Sequence, residues 1–197
     1  MQPASPTFTT TSGPAVEPIT LEELKTRLRI SGCDFDNEIS DLLIAGRQQV
    51  EADTYRKLIT QTVVMYQEDF DSLLGPLQIR LAAIQSITHL KYYDRDDVLQ
   101  TFSASDYYAN LTSNPPEIRL KQSKQWPNTS LYRPNKVELT MVAGYGSTAA
   151  SVPRAAKLAI VEFCRASWDG CEHNTDTYRR DRKSTRLNSS HANISYA

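Results

Sequence analysis

Between Leu21 and Tyr55 the apolar residues recur at helical spacing, from Ile59 they alternate or run together, and after Val152 helical spacing returns. A chain that changes period twice in this way must build helices, then strands, then a helix, and bury all three against one another. Thr20 with Glu23 has the form of a capping box, each side chain meeting a free amide at the other's position. Leu21, Leu24 and Leu28 then predict a short helix ending near Gly32. Asp34-Phe35-Asp36-Asn37-Glu38 places acids at a second helix start, where the helix dipole favours negative charge. Ile39, Leu42, Leu43, Gly46 and Val50 form one apolar stripe through about Tyr55, with Asp41, Arg47, Gln48 and Glu51 opposite. Gly46 in that stripe fits either a close helix crossing or a tolerated glycine.

The middle of the chain is rich in β-branched and aromatic residues. Ile59 to Glu68 predicts a strand, 70 to 76 a loop, and Leu77 to Leu81 a second strand. Ile84, Ser86, Thr88, Leu90 and Tyr92 alternate against Gln85, Ile87, His89, Lys91 and Tyr93, and Asp94 to Asp97 form a polar turn before a return strand over Val98 to Phe102. Asn114-Pro115-Pro116 breaks the chain. Ile118 to Lys121 and Lys136 to Ala143 are further strands, the second ended by Gly144-Tyr145-Gly146. Val152-Pro153 opens the last helix, proline being suited to a first turn, with Ala156, Ile160, Phe163 and Trp168 on its apolar face. The fold class expected is α+β: two N-terminal helices, a central block of antiparallel strands and a long C-terminal helix. Residues 17 to 176 form one domain, a size that buries roughly two-thirds of its unfolded surface. Residues 1 to 16, rich in Pro, Thr and Ser without periodicity, are expected to be disordered, as are 177 to 197.

Part of that end has a separate explanation. Asp181 to His191 read DRKSTRLNSSH, which resembles the in-frame translation of a short-read sequencing adapter. ISYA resembles the adapter sequence that follows an index, here Ala192-Asn193. Residues 181 to 197 are therefore expected to be an artefact, with the natural sequence running to about Arg180. Without them the chain holds 19 basic and 22 acidic residues, a net charge of -3 against -1 for the whole. Either value argues against a domain that grips nucleic acid through its phosphates. No apolar run is long enough to cross a membrane as a helix, and the N-terminus lacks the basic start and apolar core of a signal peptide. Cytoplasmic synthesis is expected, with Cys33, Cys164 and Cys171 as free thiols.

The residues that carry chemistry elsewhere are thin here. Asp94, Asp96 and Asp97 have the composition of calcium ligands, but no glycine or distal glutamate completes such a loop, and aspartates are favoured in solvated turns for their local hydrogen bonds. Cys164, Cys171 and His173 begin a zinc set that lacks a fourth ligand at a useful spacing. Outside the adapter the histidines are His89, mid-strand, and His173. No serine sits in a nucleophile elbow, and Gly144-Tyr145-Gly146 is too short to cradle a phosphate. No catalytic residue, cofactor or metal is assigned, and the chain is expected not to be an enzyme. Tyr92, Tyr93, Tyr107, Tyr108, Tyr132 and Tyr145 cluster in the strand block, where aromatic residues pair across strands or serve interfaces.

Five stretches, in order, resemble the head–tail connector (adaptor) proteins of tailed bacteriophages: PITLEELKTRLRI, DNEISDLLIAGRQQVEADTYRKLITQT, ITHLKYYDRDDVLQTFSASDYY, KVELTMVAGYG and VPRAAKLAIVEFCRASW. They span about Pro18 to Trp168. The resemblance implies a virion-neck subunit, made in the host cytoplasm, that forms a ring of itself, typically dodecameric. The ring would bind the portal protein, present a surface to a head-closure or tail protein, and extend a channel for duplex DNA. It would make no sequence-specific DNA contact and no membrane contact. Ring closure needs a head-to-tail interface, for which the Gly46 and Val50 stripe, the Arg154, Ala155 and Ala159 surface, and Trp168 are candidates. One departure is that the chain turns polar after Trp168, where family members continue into an extended tail suited to reaching a partner. The alternatives are a head-closure or tail-completion protein, a small metal-dependent enzyme using Asp94, Asp96 and Asp97, and a binding module of the host cell.

Overall fold

The computed structural model describes residues 6–70, 75–130 and 132–172, with side chains as far as Trp168. The adapter-like segment and His173 lie outside the described residues, as does the Cys171 side chain. The elements run β1 (Thr7–Ser12), α1 (Leu21–Leu28), α2 (Asp36–Thr54), β2 (Gln61–Gln67), β3 (Leu77–Gln78), β4 (Ile84–Tyr93), β5 (Leu99–Phe102), β6 (Tyr107–Asn110), β7 (Glu117–Leu120), β8 (Val137–Ala143) and α3 (Arg154–Glu172). This is an α+β fold with its helices at the two ends of the chain. The strands form two antiparallel sheets rather than one block, in the orders β1-β2-β8-β4-β5 and β3-β7-β6.

Each apolar period leads to its own core. Val63 and Met65 of β2, Leu90 of β4 and Val137, Leu139 and Met141 of β8 share a buried cluster with Leu77, Tyr107 and Ile118 of the small sheet. The small sheet therefore covers one face of the large one. Strand β8 alternates buried and half-buried residues along its whole length, as a strand covered on one face should. Ile19, Leu24, Ile39, Leu43, Val50, Ile160, Val161 and Cys164 form the second cluster, in which α1 and α2 pack on α3. Leu58 and Ile59 belong to this helical core although they lead into β2, so the chain crosses from one core to the other there.

Gly144 makes that crossing possible. Its φ of 136° is open to glycine alone among common residues, and a Cβ at this position would lie 2.5 Å from the Ile59 carbonyl carbon. The close approach is fixed by Tyr145 N–H donating to Leu58 O at 3.1 Å and Thr60 N–H donating to Gly146 O at 3.0 Å.

Several sequence expectations need correction. Thr7–Ser12, within the stretch read as disordered, pairs with β2 from Thr7↔Tyr66 to Ser12↔Thr62. Its side chains are nearly all exposed, so the strand is held mainly by its backbone ladder and carries no periodic apolar signal. Helix α1 stops at Leu28 instead of near Gly32, because Arg29 takes a left-handed conformation (φ 60°) and its N–H caps Lys25 O and Thr26 O. The predicted strand over Leu77 to Leu81 shrinks to two residues, and β6, exposed at three of its four residues, has no pattern that predicts it. On β4, Ile87 packs with the same core as Ile84 and Leu90 instead of pointing away. Register shifts between Ile84 and Ser86 and between Ile87 and His89 break the simple alternation, as bulges do.

Candidate assembly surfaces

Of the residues proposed for an interface, Gly46 and Val50 are used within the chain. A Cβ on Gly46 would stand 3.1 Å from Cys164 Sγ and from Phe163 Cδ1, and 3.3 Å from Ile160 Cγ2. Glycine here lets α2 and α3 cross closely, and Val50 is buried beside it. Neither residue is open to a neighbouring subunit, which corrects that part of the expectation. Cys164 is buried at the same crossing and donates to Leu42 O at 3.5 Å. Burial pushes its thiol up to about 11 from an ordinary 9.0, so it stays protonated and is a poor metal ligand at neutral pH.

The other proposed positions lie on the outside of α3. Arg154, Ala155 and Ala159 are exposed, and Leu158 among them is 51% exposed. Trp168 is half-buried. Its ring meets Phe35 edge to face, with centroids 5.6 Å apart and planes at 75°. Phe35 occupies the N-cap of α2, makes no side-chain capping bond and is itself 51% exposed.

The apolar spacing places Arg47 and Glu51 on the outer, polar face of α2, yet both are buried. Glu51 accepts from Leu58 N–H at 3.0 Å, Gln61 Nε2 at 2.8 Å and Lys57 Nζ at 3.1 Å, with Arg47 Nη1 at 3.5 Å. Arg47 Nε reaches Glu17 at 2.8 Å. The segment before α1 and the start of β2 close over this pair, and nothing in the local spacing of α2 announces that cover.

Beyond the C-terminal end of α2 the surface opens into a groove of about 550 Å³. Phe8 from β1, Tyr55 and Arg56 from the end of α2, Arg80 after β3, and Pro115 and Pro116 line it, and its lining includes no carboxylate. Tyr55 is left-handed (φ 52°) and 66% exposed. Arg56 Nη1 donates to Tyr145 Oη at 2.7 Å. Arg80 is exposed and has no ion-pair partner among the described residues. A second groove, lined by Gln48, Ala52 and Glu51, shares Phe8, Tyr55 and Arg80 with the first. Sequence reasoning did not find this site, because its residues come from four separate segments.

The aspartate turn is a hairpin tip. Asp94 Oδ1 accepts from Asp96 N–H and Val98 N–H, each at 3.0 Å, and Oδ2 accepts from Gln100. These bonds hold the Asp94 carboxyl below the usual range, the bond from Val98 most strongly. Asp97 faces Arg133, whose guanidinium stacks over Tyr93 at 3.5 Å. Among the described residues no group of three or more His, Cys, Asp or Glu is placed to hold a metal. The tyrosines divide: Tyr92 and Tyr107 join Phe70, Phe102 and Trp126 in an aromatic cluster, whereas Tyr108 and Tyr132 are exposed. His89 pairs with Thr140 on the sheet.

No family model matches this sequence, and no curated protein does. The fold does have likenesses among solved structures. A chain of the "Virion of native gene transfer agent (GTA) particle" matches with a TM-score of 0.69 at 15% identity, over 82% of this chain and 84% of that one. A chain of the "Neck of empty GTA particle computed with C6 symmetry" matches with a TM-score of 0.68 at 15% identity, over 83% and 84%. A chain of the "Neck of native GTA particle computed with C12 symmetry" matches with a TM-score of 0.63 at 17% identity, over 84% and 85%. At these identities the likeness is one of fold.

Proposed function

We propose that this chain is a structural protein of a virion neck, one subunit of a closed ring that joins the portal to the tail and extends the DNA channel. The observation that carries this reading is the fold shared, over more than four-fifths of both chains, with a chain from a neck computed with C12 symmetry. The ordered sequence resemblance to head–tail connectors points the same way independently. The chemistry agrees with a passive conduit. A net charge of -1 gives the subunit little means of holding phosphates, and a channel that neutralised many of them would retain the DNA it must release.

The test is native mass spectrometry of the protein alone and mixed with the portal protein encoded in the same genome. The expected result is a complex holding many copies of each chain. A folded monomer that ignores the portal but joins a tail protein would replace this reading with a head-closure or tail-completion role. A monomer that joins neither would remove it from the neck.

A further inference from the structure

The start of α2 carries more exposed acid than its end, where Asp53 is exposed and accepts from Gln49 Nε2. Glu38 and Asp41 are exposed near the start of the helix, three residues apart and so on one face. Asp34 is exposed in the turn just before it, and none of the three has an ion-pair partner among the described residues. Asp36 between them is already tied to Lys25 at 2.6 Å. Phe35 stands at the same end, half exposed. An aromatic N-cap leaves a helix-end amide without its usual side-chain acceptor, and packing on Trp168 still leaves half of the Phe35 side chain open. At the other end lies the groove with its apolar walls and the two arginines, Arg56 and Arg80. The 19 residues of α2 separate the two ends by about 28 Å, so one chain cannot bring them together.

An exposed aromatic side chain flanked by carboxylates and an apolar groove flanked by arginines are complementary in shape and in charge. They differ from each other and sit at opposite ends of one element, as a head-to-tail contact requires. We propose that the groove of Tyr55, Arg56 and Arg80 receives Phe35 with Asp34, Glu38 and Asp41 of a second copy of this chain, and that this contact builds the ring. The inference rests on the ring reading above and names the surface that reading leaves open. Phe35 supplies the buried anchor, since aromatic residues seated in a pocket dominate interface energies. The charges set direction and exclude the reversed arrangement.

The experiment uses charge reversal in the full chain, read by native mass spectrometry and analytical ultracentrifugation. Arg80→Glu and Asp41→Arg are each expected to weaken self-association by at least about tenfold, with melting curves like the parent's because both side chains are exposed. An equimolar mixture of the two variants should recover rings in which the variants alternate, because each then offers the charge the other's groove or tip needs. Phe35→Ser should weaken assembly without being rescued by either. Rings formed by the parent and equally by Arg80→Glu and Phe35→Ser would overturn this contact and leave the ring reading standing. Failure of the mixture to assemble, with both variants folded, would do the same. A parent chain that forms no ring alone or with the portal would remove the ring reading and this contact with it.

Discussion

At the residue scale, three positions show how much a single side chain can decide. Gly144 lies against the Ile59–Thr60 backbone, which cannot move without breaking the hydrogen bonds that tie the two cores together. Gly144→Ala is expected to cost about 2 kcal/mol or more, seen as a lower urea midpoint with an unchanged slope. Glu51 satisfies three donors in a buried site, and Glu51→Ala takes this acceptor from Leu58 N–H, Gln61 and Lys57 and leaves Arg47 with Glu17 alone. Removing one member of a buried ion pair costs about 3 kcal/mol, and the same urea titration checks it. Cys164 is tested by its reactivity. In a Cys171→Ser background, the exposed Cys33 should alkylate quickly at pH 8 and Cys164 only on unfolding. Its raised folded value means that burial favours the neutral thiol. That contribution is complete below the ordinary 9.0 and is lost as pH climbs through about 11. Of these residues the sequence announced Gly144 only as a strand terminator and placed Glu51 on the wrong side of its helix. Both roles depend on the segment Leu58 to Gln61, which lies outside the element that carries each residue and which its spacing does not mention.

At the scale of elements, legibility follows the source of stability. Helices α1, α2 and α3 and strand β8 bury one face, so their apolar spacing reveals them, while β2, with Val63, Val64 and Met65 buried in succession, shows as a β-branched run. The capping box at Thr20 and Glu23 was readable because both halves of it lie within four residues, and both bonds are present at 3.2 and 3.1 Å. Strands β1 and β6 expose most of their side chains and are held by backbone pairing, which no residue pattern encodes. The same property makes β1 a test case. It covers one edge of β2, whose central residues Val63, Val64 and Met65 are buried. Deleting residues 1–12 is expected to leave the helical core intact but to expose that edge to strands of other molecules. Light scattering on mild warming should then rise earlier than for the full chain, while helical circular dichroism holds; coincident curves would mean that β1 contributes nothing to the edge.

At the scale of the whole molecule, the separation of two cores has a use. The small sheet seals one face of the sheet core. The groove opens where the end of α2 meets β1 and the segments that flank the small sheet, while the acidic start of α2 and the outer face of α3 lie on the helical layer. Sequence reasoning saw the exposed Ala155 and Ala159 and overlooked the groove, because a single stripe is visible along one helix and a concavity built from Phe8, Tyr55, Arg80 and Pro115 is not. The two surfaces respond differently to salt. A contact through the outer face of α3 would be governed by Leu158 and the alanines, and added salt should leave such an apolar contact unchanged or strengthen it. A contact between Arg56 and Arg80 and the carboxylates of α2 loses part of its attraction as the screening length falls from about 10 Å at 0.1 M salt to about 3 Å at 1 M. The expected outcome of sedimentation velocity across that range is therefore a ring that dissociates progressively as chloride rises, faster for Phe35→Ser than for the parent. Dissociation that stays flat, or assembly that strengthens, would assign subunit contact to the α3 face and leave the groove for another partner.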